Sequence, residues 1–232
     1  KARELLDEIG MIDRDNDGSR ERPNGMLETM SGKKINVEGN AFNPTLLFCK
    51  SGAIDPTKVL ELIRSNLKEI GLNIDLKKVS RSLFQERSGS NNADIVCWNI
   101  DCQLDLMFGS RWHITKSFAP GDSSNYCSPW PGWSNWNATD GEEGVEPPAE
   151  IKELINCIDK LVYSPEEEKR LAAGKKMVKA QAENLWTIGT VAMAPYPAVF
   201  KNSLKNVPDT GIWDWPLRYL GLFHPRQFYL DK

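Results

Sequence analysis

Asp94-Ile95-Val96-Cys97-Trp98-Asn99-Ile100-Asp101 sets a short apolar run directly ahead of an indole and a carboxylate. An apolar run bounded by polar turns reads as a strand covered on both faces, as parallel strands in α/β proteins usually are. Ligands of such folds gather beyond the strand ends. Trp98 and Asp101 therefore stand where one can stack on a ligand while the other holds a cation or a hydroxyl. The competing reading keeps Trp98 in the core and uses Asp101 to cap the next turn.

The flanking sequence supports an α/β arrangement. Thr45 to Cys49 reads as a short apolar strand, and Asp55-Pro56 opens a helix with a capping aspartate and a proline at its first position. Val59, Leu60, Ile63, Leu67 and Ile70 share one face of that helix, opposite Lys58, Glu61, Arg64 and Lys68, and Gly71 ends it. Leu72, Ile74 and Leu76 then alternate with polar residues, which gives a second strand and a right-handed βαβ unit. A short helix over about Ser82 to Arg87 and the turn at Gly89-Ser90-Asn91-Asn92 lead back into the Asp94 strand. The sheet is thus expected to be at least partly parallel.

From Asn99 to Pro148 the chain is rich in turn residues and indoles, and five of the eight tryptophans lie between positions 98 and 136. Long loops in compact domains are functional or disordered, and disordered segments avoid aromatics, so a packed excursion beside a ligand is expected here. Trp112, Trp133 and Trp136 are its candidate ligand-binding residues; a small local core of the loop is the alternative use of the same rings. Pro147-Pro148 starts a helix with Ile151, Leu154, Ile155, Ile158 and Leu161 on one side. Ser164-Pro165-Glu166-Glu167 predicts a capped start for another, carrying Leu171, Val178, Ala182 and Leu185 inward. Trp186 to Met193 is expected to return as a strand, and five prolines from Pro195 to Pro225 leave an extended tail with Trp213, Trp215, Phe223, Phe228 and Tyr229.

Near the start, a helix ending at Gly10 leads into Asp13-Arg14-Asp15-Asn16-Asp17-Gly18-Ser19-Arg20-Glu21. Three aspartates at alternate positions followed by glycine match the first half of a calcium loop, in which oxygens surround a hard cation. Asn24 stands where the bidentate glutamate of that loop would be, and Glu21 supplies part of what is missing. Asp13, Asp15, Asp17 and Glu21 are the candidate ligands of a structural Ca2+, with a metal-free turn as the alternative. Residues 22 to 44 leave room only for short strands, such as one near Lys34 to Val37.

Composition narrows the function classes. The chain has 232 residues, a formal net charge of −3, 40% hydrophobic and 26% charged residues, with no long block of like charge. That is an ordinary globular balance, and it disfavours nucleic acid as a partner. No apolar run approaches the ~20 residues that cross a bilayer. The first residues are charged and helix-like rather than a signal peptide, and the chain opens without Met, so a fragment is expected. Five cysteines form no C-x-x-C pair, so a zinc cluster is not expected, and a Cys102–Cys127 disulfide stays open. His113 and His224 lack a serine, cysteine or metal-ligand partner motif, so nucleophilic and zinc chemistry lack their parts. Asp101 and Asp105 could serve as the paired carboxylates of a glycoside hydrolase, with nothing beyond the pair to support it.

Several dispersed motifs in order carry a resemblance. They are Glu4-Leu5-Leu6-Asp7-Glu8-Ile9-Gly10 leading into the aspartate loop, Leu67-Lys68-Glu69-Ile70-Gly71-Leu72-Asn73-Ile74, and Arg81-Ser82-Leu83-Phe84 before the Asp94 strand. Gly141-Glu142-Glu143-Gly144-Val145-Glu146-Pro147-Pro148 and Ala182 to Val191 complete the set. With them the chain resembles the C-terminal part of the family 5 extracellular solute-binding proteins, the peptide and oligosaccharide receptors of ABC importers. The resemblance implies an α/β, periplasmic-binding-protein-like lobe with a mixed, largely parallel sheet flanked by helices and an extended C-terminal tail. It implies a ligand-binding lobe over residues 1–185, and a returning strand and aromatic tail over 186–232 that packs toward a missing N-terminal lobe. In the family, the tryptophan and aspartate of a W-x-x-D line the cleft between two lobes, and in peptide receptors that aspartate pairs with the ligand's ammonium group. The match falls on Trp98 and Asp101. Where the family often reads Asp-Pro, this chain has Leu104-Asp105-Leu106, which leaves the loop path and Asp105 without an assignment. The implied protein is a monomeric, extracytoplasmic, non-enzymatic receptor for an oligopeptide, alternatively an oligosaccharide, that works with ABC permease subunits. One lobe alone holds half a site, so its affinity should be much reduced.

Overall fold

A computed structural model describes residues 1–23, 25–28, 34–37, 39–51, 55–99, 118–121, 130–190, 197–211 and 224–231. Its contacts divide the chain into two compact units, one formed by residues 1–99 and 120–155 and the other by residues 100–119 and 156–232.

The first unit is built on the strand that the sequence makes most apolar. β3 (Thr45–Phe48) lies between β4 (Asp75–Lys78) and β5 (Ile95–Cys97), parallel to both. Leu46, Leu47, Phe48 and Cys49 are all buried, as a strand covered on both faces requires. Because side chains alternate, Leu46 and Phe48 meet Leu60 on one face, with Ile63, Ile74, Leu76 and Cys97 packed around them. Leu47 and Cys49 meet Phe84 on the other, with Val79, Ala93 and Trp98. Leu60 and Ile63 belong to α2 (Thr57–Lys68) and Phe84 to α3 (Arg81–Gly89), so a helix covers each face of the sheet. The Asp94 carboxylate accepts the Thr45 N–H at 2.8 Å, tying the start of β5 to the start of β3.

β5 differs from its reading as a strand buried on both faces. Within the described sheet it ends the order β4-β3-β5, and Ile95 and Val96 are 39% and 36% exposed. The run Ile-Val-Cys is too short to distinguish a central strand from an edge strand, since both can be apolar. Val59, placed inward on α2 by its spacing, is also exposed, while Leu60 takes the core position.

α1 (Ala2–Glu8) stops ahead of Gly10, whose φ of +80° lets the chain turn out of the helix. Arg20, buried, then ties the following loop down. Its Nε donates to the Ile70 carbonyl at 2.8 Å, and its Nη1 donates to the Asp7 carboxylate at 2.5 Å and to the Met11 carbonyl. Gly71, at φ +84°, lies against this side chain: a Cβ there would be 2.9 Å from Arg20 Cγ. β1 (Gly25–Glu28) and β2 (Lys34–Val37) form an antiparallel hairpin, which contains the strand expected near Lys34.

Within the irregular excursion expected over residues 99–148 lies α4 (Pro131–Ala138), with Pro131 at a position where its missing N–H costs nothing. α5 (Ala149–Tyr163) buries Ile151, Leu154, Ile155 and Ile158 of the face its spacing predicts, adds Cys157, and leaves Leu161 half-buried. α6 (Glu167–Asn184) starts later than its expected cap: Ser164 Oγ donates to the Glu166 carboxylate instead of capping the helix, and Glu166 occupies the N-cap position.

α6 also faces differently from the expectation. Leu171, Val178 and Leu185 are 54%, 45% and 64% exposed and Ala182 is exposed, whereas Ala173 and Met177 are buried. Leu161 Cδ1 packs near Gly174 on this helix, 3.5 Å from where a Cβ would stand. Residues 186–190 are not a strand, and the rest of the strand expected up to Met193 lies outside the described residues. Near the C-terminus β6 (Leu204–Lys205) pairs antiparallel with β7 (Tyr229–Leu230) after a 3-10 turn at Pro225–Gln227. Trp213, Trp215 and Phe223 of the expected tail lie outside the described residues. No described helix is long and apolar enough to cross a membrane.

Candidate functional site

The carboxyl ends of the parallel strands bring together the first group of side chains. Phe48 is in register with Lys78 on one side and Cys97 on the other. The next residues, Val79, Cys49 and Trp98, consequently form a row at the edge, and the Val79 N–H donates to the Phe48 carbonyl at 3.0 Å. Trp98 is half-buried against the Leu47–Cys49–Phe84 cluster. Its ring stacks on Phe84 with centroids 5.1 Å apart and planes at 22°. The Arg81 guanidinium carbon lies 5.3 Å from the same ring centroid, within cation–π range. Ser80 produces this arrangement by capping α3: its Oγ accepts the Leu83 N–H at 3.3 Å, so the helix starts at Arg81 and sends Phe84 inward one turn later.

Both ends of Trp98's reading are thus present in one residue: part of the ring is core, and the residue still stands at the strand end where ligands of α/β folds collect. Burial pushes the Cys49 thiol up and the Arg81 charge pulls it down. Burial likewise raises the Cys97 thiol, with the nearby Cys49 adding to the effect. Neither is poised as a nucleophile. Asp101, Asp105, Trp112, His113, Cys102 and Cys127 lie outside the described residues. Arg81 and Phe84 are not among the sequence-based site residues; the signal that could single them out is their i, i+3 spacing at a helix start just beyond a strand.

Trp133 and Trp136 both lie on α4, in the same compact unit as Trp98. Trp133 stacks on Trp130, with centroids 5.4 Å apart and planes at 15°. Trp130, absent from the sequence-based set, sits just before α4 with φ 54°, a left-handed conformation rarely adopted by a bulky residue. Trp136 is covered by its own surroundings: Lys152 Nζ is 4.6 Å from its ring centroid, and a Cβ on Gly141 would stand 3.3 Å from its Nε1. Lys152 also pairs with Glu146.

The aspartate loop forms a second group. One ligand oxygen from each of Asp13, Asp15, Asp17 and Glu21 lies within 4.8 Å of the others. Each carboxylate is turned by a backbone N–H: Gly18 donates to Asp13 at 3.0 Å, Asp17 to Asp15 at 3.2 Å, Ser19 to Asp17 at 2.7 Å and Arg14 to Glu21 at 2.8 Å. Asp13 Oδ1 is buried and has no hydrogen-bond partner. Calcium–oxygen bonds of about 2.3–2.6 Å put opposite ligands about 5 Å apart, so the cluster has the dimensions of such a shell. Glu21 is shared with Arg14, whose Nη1 lies 3.5 Å from Oε2. These residues fit a hard cation.

No protein-family model matches the sequence, and no curated protein does. Among solved structures, the chain is similar to the oligopeptide-binding protein OppA, at 26% identity and a TM-score of 0.66, over 100% of this chain and 35% of that one. It is similar to the periplasmic binding protein MelB of Agrobacterium fabrum, determined with stachyose, at 24% identity and a TM-score of 0.55, over 81% of this chain and 25% of that one. A periplasmic oligopeptide-binding protein of an oligopeptide ABC transporter from Thermotoga maritima, determined with mannohexaose, matches at 21% identity and a TM-score of 0.54, over 80% and 29% of the two chains. The last two likenesses concern the fold. The chain spans about a third of the length of OppA.

Proposed function

The chain has the fold and the dispersed motifs of part of a family 5 extracellular solute-binding protein, and on that premise we propose that it supplies one wall of a ligand cleft in the receptor of an ABC importer. The ligand is an oligopeptide, with an oligosaccharide as the second reading. The receptor acts outside the cytoplasm and delivers its ligand to permease subunits, without catalysis. The observation that carries the reading is Trp98 at the carboxyl end of β5, in a chain similar to OppA over its whole length. A strand-end indole gives a flat apolar surface, and Asp101, three residues on, supplies a charge-assisted acceptor for an ammonium group. The sugar reading draws on MelB and on the Trp130–Trp133 stack, since flat rings suit pyranose faces as well.

A thermal-shift and NMR screen of tripeptides and neutral trisaccharides tests this. Peptide-induced shifts that weaken at least tenfold in Asp101→Asn support the peptide reading. Saccharide-induced shifts that vanish in Trp133→Ala support the second. Silence from both classes overturns the receptor assignment.

The same reading includes a structural Ca2+ held by Asp13, Asp15, Asp17 and Glu21, supported by their spacing and by the buried, unpaired Asp13 Oδ1. Bound there, the ion would supply charge neutralisation and stiffen the loop that Arg20 anchors to the end of α2. Calorimetric titration with calcium should give heat that disappears in Asp13→Asn. No heat at millimolar metal rejects the site.

A further inference from the structure

α4 is eight residues long and rich in Trp, Gly, Pro and Asn, a composition with little helix propensity of its own. A helix this short is placed by what packs on it. The turn that follows folds back onto it: the Glu143 N–H donates to Thr139 Oγ1 at 2.9 Å, and the Val145 N–H donates to the Gly132 carbonyl at 2.9 Å. Gly144, between these two donors, has φ +87°, and a Cβ there would fall against the Gly132 oxygen and stand 2.6 Å from the Trp136 nitrogen. Both are backbone atoms, so no side-chain rotation relieves the clash. Gly121, at φ +92°, allows a second close approach. A Cβ there would stand 3.0 Å from Trp133 Cβ and 3.3 Å from Cγ2 of Ile151, a buried residue of α5.

Trp133 is thus located by approaches that only residues without a Cβ permit. A side chain already held in place has less freedom to lose when a ligand settles on it. We propose that Gly144 and Gly121 are positioning residues for Trp133. They act through the placement of α4, without touching ligand, and set the indole, stacked on Trp130, as a rigid surface for the face of a neutral sugar ring. The inference rests on the saccharide reading above and deepens it. Gly71 supplies the contrast: its backbone is also left-handed, at φ +84°, and a Cβ there would stand 2.9 Å from a neighbour, but that neighbour is Arg20, away from α4.

The test uses the 232-residue chain itself, titrated with maltotriose by NMR, where weak binding is measurable. The stacked indoles of Trp130 and Trp133 should also give an exciton couplet in circular dichroism, assigned by its loss in Trp133→Phe. Gly144→Ala and Gly121→Ala should each weaken maltotriose binding about fivefold or more, the scale of one aromatic contact, and shrink the couplet. Gly71→Ala should lower the melting temperature while keeping both the affinity and the couplet, which separates displacement of the indole from loss of stability. Gly121→Ala presses only on side-chain atoms, so it decides the matter if Gly144→Ala does not fold. A folded Gly144→Ala or Gly121→Ala with wild-type affinity, or with weakened binding and an intact couplet, overturns the assignment. So does a Gly71→Ala chain that loses affinity to the same degree. A wild-type chain that binds no maltotriose instead removes the saccharide reading, and this inference with it.

Discussion

Phe84 is the residue on which both the α3 face of the core and the position of Trp98 depend. It is 0% exposed, and it contacts Leu47 and Cys49 as well as the indole stacked 5.1 Å away. Burying an aromatic side chain removes about 150–250 Å² from water, which at ~25 cal/mol per Å² is about 4–6 kcal/mol. Alanine retains only a small part of that, so Phe84→Ala should cost about 3–5 kcal/mol. A domain is stable by only about 5–15 kcal/mol, so this variant loses a large share of its margin. Phe84→Leu keeps most of the apolar volume and gives up the ring stack, worth about 0.5–1.5 kcal/mol, together with some packing. Its total cost should be about 1–2 kcal/mol. Urea unfolding followed by circular dichroism measures both values, and peptide mapping after thiol labelling reports whether Cys49, 3% exposed in the native chain, opens to solvent. A Phe84→Ala variant destabilised by less than about 1 kcal/mol, with Cys49 still protected, would refute the placement of this cluster at the centre of the unit.

Other expectations follow from separate parts of the chain. Gly71→Ala must fit a Cβ 2.9 Å from a side chain held by three partners, at φ +84°, and should lower stability by about 1–3 kcal/mol in thermal or urea unfolding. On α6, Met177→Ala should cost about 2–4 kcal/mol because the side chain is 1% exposed, while Leu171→Lys and Leu185→Lys should stay within about 0.5 kcal/mol. The opposite order in urea unfolding would reverse the helix. Asp55 is held well below the usual carboxylate range by Lys78 and by the Thr57 hydroxyl and N–H. A depressed folded pKa stabilises above the unfolded value of about 3.9 and is lost as pH falls through the folded one. Asp55→Asn should therefore flatten the fall of Tm below about pH 4. An unchanged acid limb would remove Asp55 from its causes.

Legibility in the sequence followed the number of constraints on each segment. β3, α2 and α5 were readable because apolar spacing, caps and breakers agreed over many residues, and Leu46, Leu60 and Ile158 are indeed buried. α4 was not, since Trp, Gly, Pro and Asn favour turns, and its Val145 N–H to Gly132 carbonyl contact at 2.9 Å forms only once the loop folds back. The inner face of α6 was misread for a related reason. Two apolar stripes run along that helix, and the choice between Met177 and Leu171 depends on what approaches it, a contact no window of sequence contains.

At the site, residue types and their spacing specify the available chemistry: an indole and a carboxylate beyond a strand, and four acidic side chains spaced to turn around one point. Local hydrogen-bond geometry is short-ranged, so the Asp13 to Glu21 cluster could be read from spacing alone. Tertiary structure decided the rest. Only the parallel register of β3, β4 and β5 places Arg81 over Trp98 and Phe84 beneath the same cluster, although these residues belong to segments separated by a turn. The physical reason is that a strand-end site is assembled across neighbouring strands: its members are close through the register of hydrogen bonds, not through the order of the chain.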